Sequence, residues 1–200
     1  MKMKSILAIA SLLATNAASA AIISNGNFEA GTMAPWVKTG NVYYVTSQGG
    51  DFWFGGGSAA VNGTYAIAFN AGETTPNGSI FQSFNTTAGA RYEVSFNYGV
   101  TANGTQSLLA DVLGANGVTS LGSLGVTDSN PSKALGLFRY AFFADGAQAT
   151  LRFSDVSTNR TASLDGILDN VTVNAVPEPG TVAMLGLGLV AVFAARRRKT

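Results

Sequence analysis

The chain has no cysteine and no histidine. The first absence removes disulfides, thiol nucleophiles and thiolate metal sites. The second removes every imidazole base, so no Ser-His-Asp or Cys-His arrangement can be assembled. Charge is scarce as well. Asp, Glu, Lys and Arg make up 12% of the 200 residues, about half the ordinary share. Long helical periodicity is missing: between residues 22 and 174 no amphipathic stretch exceeds about two turns. A cationic face is missing too. Six cations (Lys38, Arg91, Lys133, Arg139, Arg152, Arg160) stand against ten anions between residues 21 and 175, which leaves this region near −4. A phosphate backbone needs concentrated positive charge, so nucleic acid is not an expected partner.

The cations that remain sit at the two ends. Lys2 and Lys4 precede an apolar run over residues 6–14, a length that suits an export signal. Ala18 and Ala20 then place small side chains where a signal peptidase inspects them, so cleavage before Ala21 is expected. The alternative is an uncleaved anchor, for which the run is short against a hydrocarbon core of ~30 Å. At the other end stand Val176, Pro177, Glu178 and Pro179. The two prolines hold this stretch extended and accessible. Residues 181–195 follow without a charge, ~23 Å as a helix at ~1.5 Å per residue. Arg196, Arg197, Arg198 and Lys199 close the chain and would stay on the cytoplasmic side.

This order of proline box, short apolar helix and Arg cluster resembles the PEP-CTERM sorting signal of Gram-negative bacteria. The resemblance implies processing by an exosortase near the box. It also implies passage through the inner membrane to the cell surface or extracellular matrix, and a link to exopolysaccharide and biofilm. The alternative is a plain C-terminal membrane anchor with a proline hinge.

Between the ends the dominant pattern has period two. In Arg91-Tyr92-Glu93-Val94-Ser95-Phe96-Asn97-Tyr98 the apolar residues fall on one side and the polar ones on the other. Residues 149–154 repeat the pattern. Further strands are expected over 36–46, 65–70, 79–84, 108–113, 137–143 and 167–173. Asn62-Gly63, Asn77-Gly78, Asn103-Gly104, Asn116-Gly117 and Asp145-Gly146 mark turns. About eight strands with frequent turns predict an all-β antiparallel β-sandwich, most simply a jelly roll. The expected organisation is a signal peptide over 1–20, a β-sandwich over 21–174 and a sorting signal over 175–200 with a hydrophobic transmembrane helix.

The edges of the middle region carry a second resemblance. Ser24-Asn25-Gly26-Asn27-Phe28-Glu29, then Gly31 and Pro35-Trp36, is similar to the opening of galactose-binding-like jelly rolls, carbohydrate-binding modules among them. Leu168-Asp169-Asn170-Val171-Thr172-Val173 is similar to their closing strand. The resemblance implies a structural Ca²⁺ between the two, with Glu29 and Asp169 at the matching positions. Carboxylate oxygens suit that ion; otherwise the two are exposed carboxylates at strand ends.

Three successive aromatics, Phe52, Trp53 and Phe54, lie between glycine runs. Neighbours on a strand face opposite ways, so all three cannot readily enter one core. Trp53 can stack on a sugar while Asp51 accepts hydroxyl hydrogen bonds, with Tyr43 and Tyr44 extending the platform. Alternatively Phe52 and Phe54 fill the core and Trp53 covers an edge. Asn-X-Ser/Thr triplets at Asn62, Asn77, Asn85, Asn103, Asn159 and Asn170 follow from the abundance of these residues in turns. The expected function is a non-catalytic exported protein associated with exopolysaccharide and binding carbohydrate. The alternatives are an adhesin-like structural protein and, less favoured, a polysaccharide hydrolase built on paired carboxylates such as Asp165 and Asp169.

Overall fold

The computed structural model describes residues 22–46, 63–70, 77–101, 104–130, 134–158, 165–177, 186–190 and 197. Ten strands run in the order β1 (Val37–Thr39), β2 (Val42–Thr46), β3 (Tyr65–Phe69), β4 (Ser79–Asn85), β5 (Arg91–Val100), β6 (Gln106–Leu113), β7 (Ser120–Asp128), β8 (Gly136–Phe143), β9 (Gln148–Asp155) and β10 (Gly166–Ala175). They form two five-stranded antiparallel sheets, β1-β4-β9-β6-β7 and β2-β3-β10-β5-β8. The chain passes from one sheet to the other between most successive strands, which is the jelly-roll path.

Alternation builds the core directly. Ile80 and Phe84 of β4, Leu151 and Phe153 of β9, and Leu108, Ala110 and Val112 of β6 face inward from the first sheet. Tyr92, Val94, Phe96 and Tyr98 of β5 meet them from the second. Phe96 meets Phe153 edge-on at 5.1 Å, and Tyr92 stacks on Phe142 at 5.4 Å. In β10 one extra residue interrupts the alternation. The register with β5 shifts between Asp169 and Thr172, and Asn170 takes a left-handed φ of 50°. This β-bulge turns both Leu168 and Val171 inward.

The segment before β1 plugs one side of the sandwich. Ile23, Phe28 and Trp36 are all buried in the core. Asn25 organises the segment, with Nδ2 donating to Thr32 O at 2.7 Å and to Ala34 O at 3.0 Å. Buried Gln82 brackets Ser24, accepting its N–H and donating to its carbonyl, both at 2.9 Å. Val171 N–H donates to Gly26 O at 2.8 Å. A Cβ on Gly26 would lie 2.0 Å from Val171 O, so only glycine allows this approach.

Two features differ from the sequence reading. The single strand expected over 36–46 is two strands in different sheets, because Gly40, at φ 66°, turns the chain between them. β7 was not expected at all. It carries few apolar residues and two glycines, Gly122 and Gly125, which weaken any strand signal. Gly122 has a packing role: a Cβ there would lie 3.2 Å from Phe142 Cβ, so the glycine lets β7 and β8 approach where the sheets meet.

Among the described residues no helix is long and apolar enough to cross a membrane. Residues 186–190 are helical; the rest of the 181–195 run lies outside the described residues. Removing a core ring should cost far more than removing an exposed one. Phe153→Ala is expected to lose ~3–5 kcal/mol in urea unfolding, whereas Phe143→Ala, 62% exposed on β8, should stay within ~0.5 kcal/mol of wild type.

Candidate functional site

Because Ile80, Gln82 and Phe84 face inward, Ser79, Phe81 and Ser83 of β4 must face outward. β9 sets Ser154, Arg152 and Thr150 directly opposite them. Hydroxyls pair across the two strands, Ser79 with Ser154 and Ser83 with Thr150, each at 2.8 Å. The Phe81 ring lies between these pairs, half-buried, with Val37 of β1 as its cross-strand neighbour. Leu113 and Gly117 rise at one end of this outer surface and Thr39 at its β1 side. Together they leave a hollow of about 390 Å³.

The charge in the hollow is paired. Arg152 Nη2 lies 3.1 Å from Asp111 Oδ2, and Ser120 Oγ donates to Asp111 Oδ1 at 2.5 Å. The Asp111 side chain is 8% exposed and that of Arg152 40%. A ligand would therefore meet the guanidinium with the carboxylate behind it. Burial first, then the Asp111 carboxylate, push the Tyr140 phenol of β8 well above its ordinary value. Such a surface can stack an apolar ring face on Phe81 and exchange hydrogen bonds through hydroxyls and a forked donor. Among the described residues no Asp or Glu lines the hollow; Asp111 lies behind Arg152.

Tyr43 and Tyr44 lie side by side in β2 and therefore turn to opposite sides. Tyr43 faces outward with Lys38 Nζ 5.6 Å from its ring centroid. Tyr44 turns toward the core, stacks on Tyr65 at 4.9 Å and donates to Phe28 O at 2.5 Å. They do not share one surface. Asp51 and Trp53 lie outside the described residues, as do Ala18, Ala20, Ala21, Glu178, Pro179, Arg196 and Arg198. Val176 continues the β10 ladder, its N–H donating to Arg91 O at 2.9 Å. Pro177 follows as an unpaired coil residue, and Arg197 is helical.

Glu29 lies at the start of β3, whereas Asp169 lies within β10, opposite Asn97 of β5. Glu29 Oε1 accepts the N–H groups of Thr64 and Tyr65 at 2.9 and 2.8 Å. The β10–β3 register ends with Leu168 against Ile67, one residue before Asp169. Asp169 is fully buried, and its Oδ1 accepts the Asn170 N–H at 2.6 Å. Gly63 leaves room beside Glu29, where a Cβ would come within 2.4 Å of Oε1. Among the described residues no three His, Cys, Asp or Glu side chains gather as a metal set. A hard cation here would rest on these two carboxylates and on backbone carbonyls. Both side chains are oxygen donors, the class that suits a hard cation. Asp165 and Asp169 are both buried, and Asp165 is tied to Thr101, whose Oγ1 accepts the Asp165 N–H at 2.8 Å.

The hollow was not read from the sequence. Its one local signal is Phe81, an aromatic at an outward position between two serines, and Arg152 at the corresponding position of β9. The pairing of these strands is not visible in either one alone.

No curated protein is significantly similar in sequence. Solved structures share the fold. TmCBM61 in complex with β-1,4-galactotriose has a TM-score of 0.56 at 18% identity, over 79% of this chain and all of that one. The CBM22-1 xylan-binding domain of Paenibacillus barcinonensis Xyn10C has a TM-score of 0.50 at 16% identity, over 76% of this chain and 93% of that one. Tailspike protein 4 of bacteriophage CBA120 has a TM-score of 0.51 at 14% identity, over 78% of this chain and 21% of that one. Residues 175–199 match the PEP-CTERM protein-sorting motif. Residues 21–174 match the family described as protein of unknown function (DUF642), and the chain belongs to that family.

Proposed function

We propose that this is an exported, non-catalytic polysaccharide-binding protein that reaches the cell surface or matrix of a Gram-negative bacterium through exosortase processing. The observation that carries the reading is the outer face of the β4–β9 pair. It combines a half-buried ring, rows of hydroxyls and a guanidinium backed by a buried carboxylate. The jelly-roll likeness to TmCBM61, which was solved with a galactotriose, supports a glycan as the ligand class. The C-terminal motif supports the route, with exopolysaccharide or biofilm matrix as the setting. A carboxylate that is buried behind Arg152 and paired with it supports binding rather than hydrolysis.

In this reading the sorting enzyme meets a box that starts where the ladder stops. Val176 is still bonded to Arg91, so a cut that leaves β10 intact falls after it. Glu29 and Asp169 would hold a structural Ca²⁺, which would pin the segment before β1 to β10 and β3.

Three measurements test these statements. Calorimetric titration of residues 21–176 against a panel of neutral and acidic polysaccharides should detect binding. Phe81→Ala should weaken it about tenfold or more, ~1.4 kcal/mol, while Trp53→Ala should leave most of it. The reverse order would move the site to the Phe52–Phe54 segment, and turnover of any polysaccharide would replace binding with catalysis. Mass spectrometry of the exported form should place its C-terminus between Val176 and Thr181; a retained Thr200 would mean a permanent anchor. Ca²⁺ at about a hundredfold over its dissociation constant should raise the melting temperature by ~5–10 °C relative to chelator, and Glu29→Gln should abolish most of that rise.

A further inference from the structure

The chain leaves the sandwich at a defined end. β4 ends at Asn85, β6 at Leu113, β8 at Phe143 and β10 at Ala175, all toward the same side. The loops 86–90, 114–119 and 144–147 therefore surround the exit. They are tied to one another. Thr86 and Gly89 N–H donate to Ala147 O and Ala144 O at 2.9 and 2.8 Å, and Ala144 N–H donates to Ala90 O at 3.0 Å. Ala115 N–H donates to Asp145 Oδ1 at 3.0 Å. Asp145 is the one charged side chain in these three loops. Val118 at the tip of the β6–β7 turn is 80% exposed, and Phe143 at the end of β8 is 62% exposed. The opposite end differs: Asp128, Asp155 and Asp165 lie there, buried among polar side chains.

We propose that the exit end is the face laid on the bilayer before processing, with Val118 and Phe143 set into the headgroup layer. The proposal rests on the reading of residues 181–195 as a membrane-inserted run. Length supports it. Four residues separate Val176, the last on the ladder, from Thr181, five steps along the chain with a reach of at most ~18 Å at ~3.6 Å per step. The ten residues of β10 span ~33 Å at ~3.3 Å each, so the module cannot stand on the same membrane by its far end. Loop chemistry supports it as well. The exit end sets Arg91 against Asp145, and its three loops carry no other charge, a surface that the lipid interface accepts.

The absence of cysteine makes a direct test simple, since one introduced thiol is the one label site. The full chain, as Val118→Cys, Phe143→Cys, Leu137→Cys, Val156→Cys or Leu187→Cys, is labelled with an environment-sensitive fluorophore. It is then reconstituted into phosphatidylethanolamine–phosphatidylglycerol vesicles carrying a headgroup-depth nitroxide lipid. Labels at 187, 118 and 143 should be blue-shifted and quenched; those at 137 and 156 should behave as in water. A quenched 187 label with an unquenched 118 label would overturn the orientation while leaving the inserted run in place. Quenching at 137 without 118 would mean the module lies on its second sheet and would equally overturn it. An unquenched 187 label would remove the run and the orientation together.

Discussion

The close approach of Gly26 to the bulge of β10 is the contact on which the sandwich depends. Two twisted sheets can share a core only if their open sides are closed. On one side that task falls to a segment with no regular structure. Asn25 gathers the segment, Gln82 holds its backbone, and Gly26 comes so near Val171 that no side chain fits between them. Phe28 and Trp36 then enter the core, 5.8 Å apart, with Trp36 reaching Phe153 at 6.2 Å. The aromatic chain from Phe28 to Phe96 runs through both sheets, so the plug and the core stabilise each other.

A well-filled interior leaves the outer faces free to differ. On the first sheet, hydroxyls pair across β4 and β9 and a salt bridge joins β9 to β6, so the polar groups of the hollow are already held in place. Preorganised groups lose little freedom when a ligand arrives. At the far end of the second sheet the polar chemistry is inward and structural. Burial first, with Asp155 and Asp128 adding to it, pushes the Tyr98 phenol well above its ordinary value. Gly166 leaves the space that the phenol occupies, since a Cβ there would lie 2.4 Å from the hydroxyl.

Much of the fold was legible because it is written locally. Tyr92, Val94, Phe96 and Tyr98 announce β5 by alternation alone, and Asn116-Gly117 announces the turn after β6, where Gly117 takes φ 70°. The sorting motif at the C-terminal end was legible for the same reason, since it is a short contiguous signal. What escaped depends on partners. β7 is a strand through its pairing with β6 and its contact with β8, and its own residues barely say so. The division at Gly40 follows from which sheet each half joins. The hollow escaped most completely: Phe81, Arg152 and Asp111 stand on three strands, and only the register of β4, β9 and β6 brings them together. The neighbouring tyrosines of β2 show the converse, since adjacency in the chain separates Tyr43 from Tyr44 in space.

The bond between Val176 and Arg91 has a mechanical meaning. β10 is the central strand of its sheet, and the polypeptide leaves it along the strand direction. A pull on the C-terminus therefore loads the β10–β5 ladder in shear, so that its bonds resist together instead of opening in sequence. Pulled from that terminus, the module should give way late and abruptly, as a brittle element and not a spring.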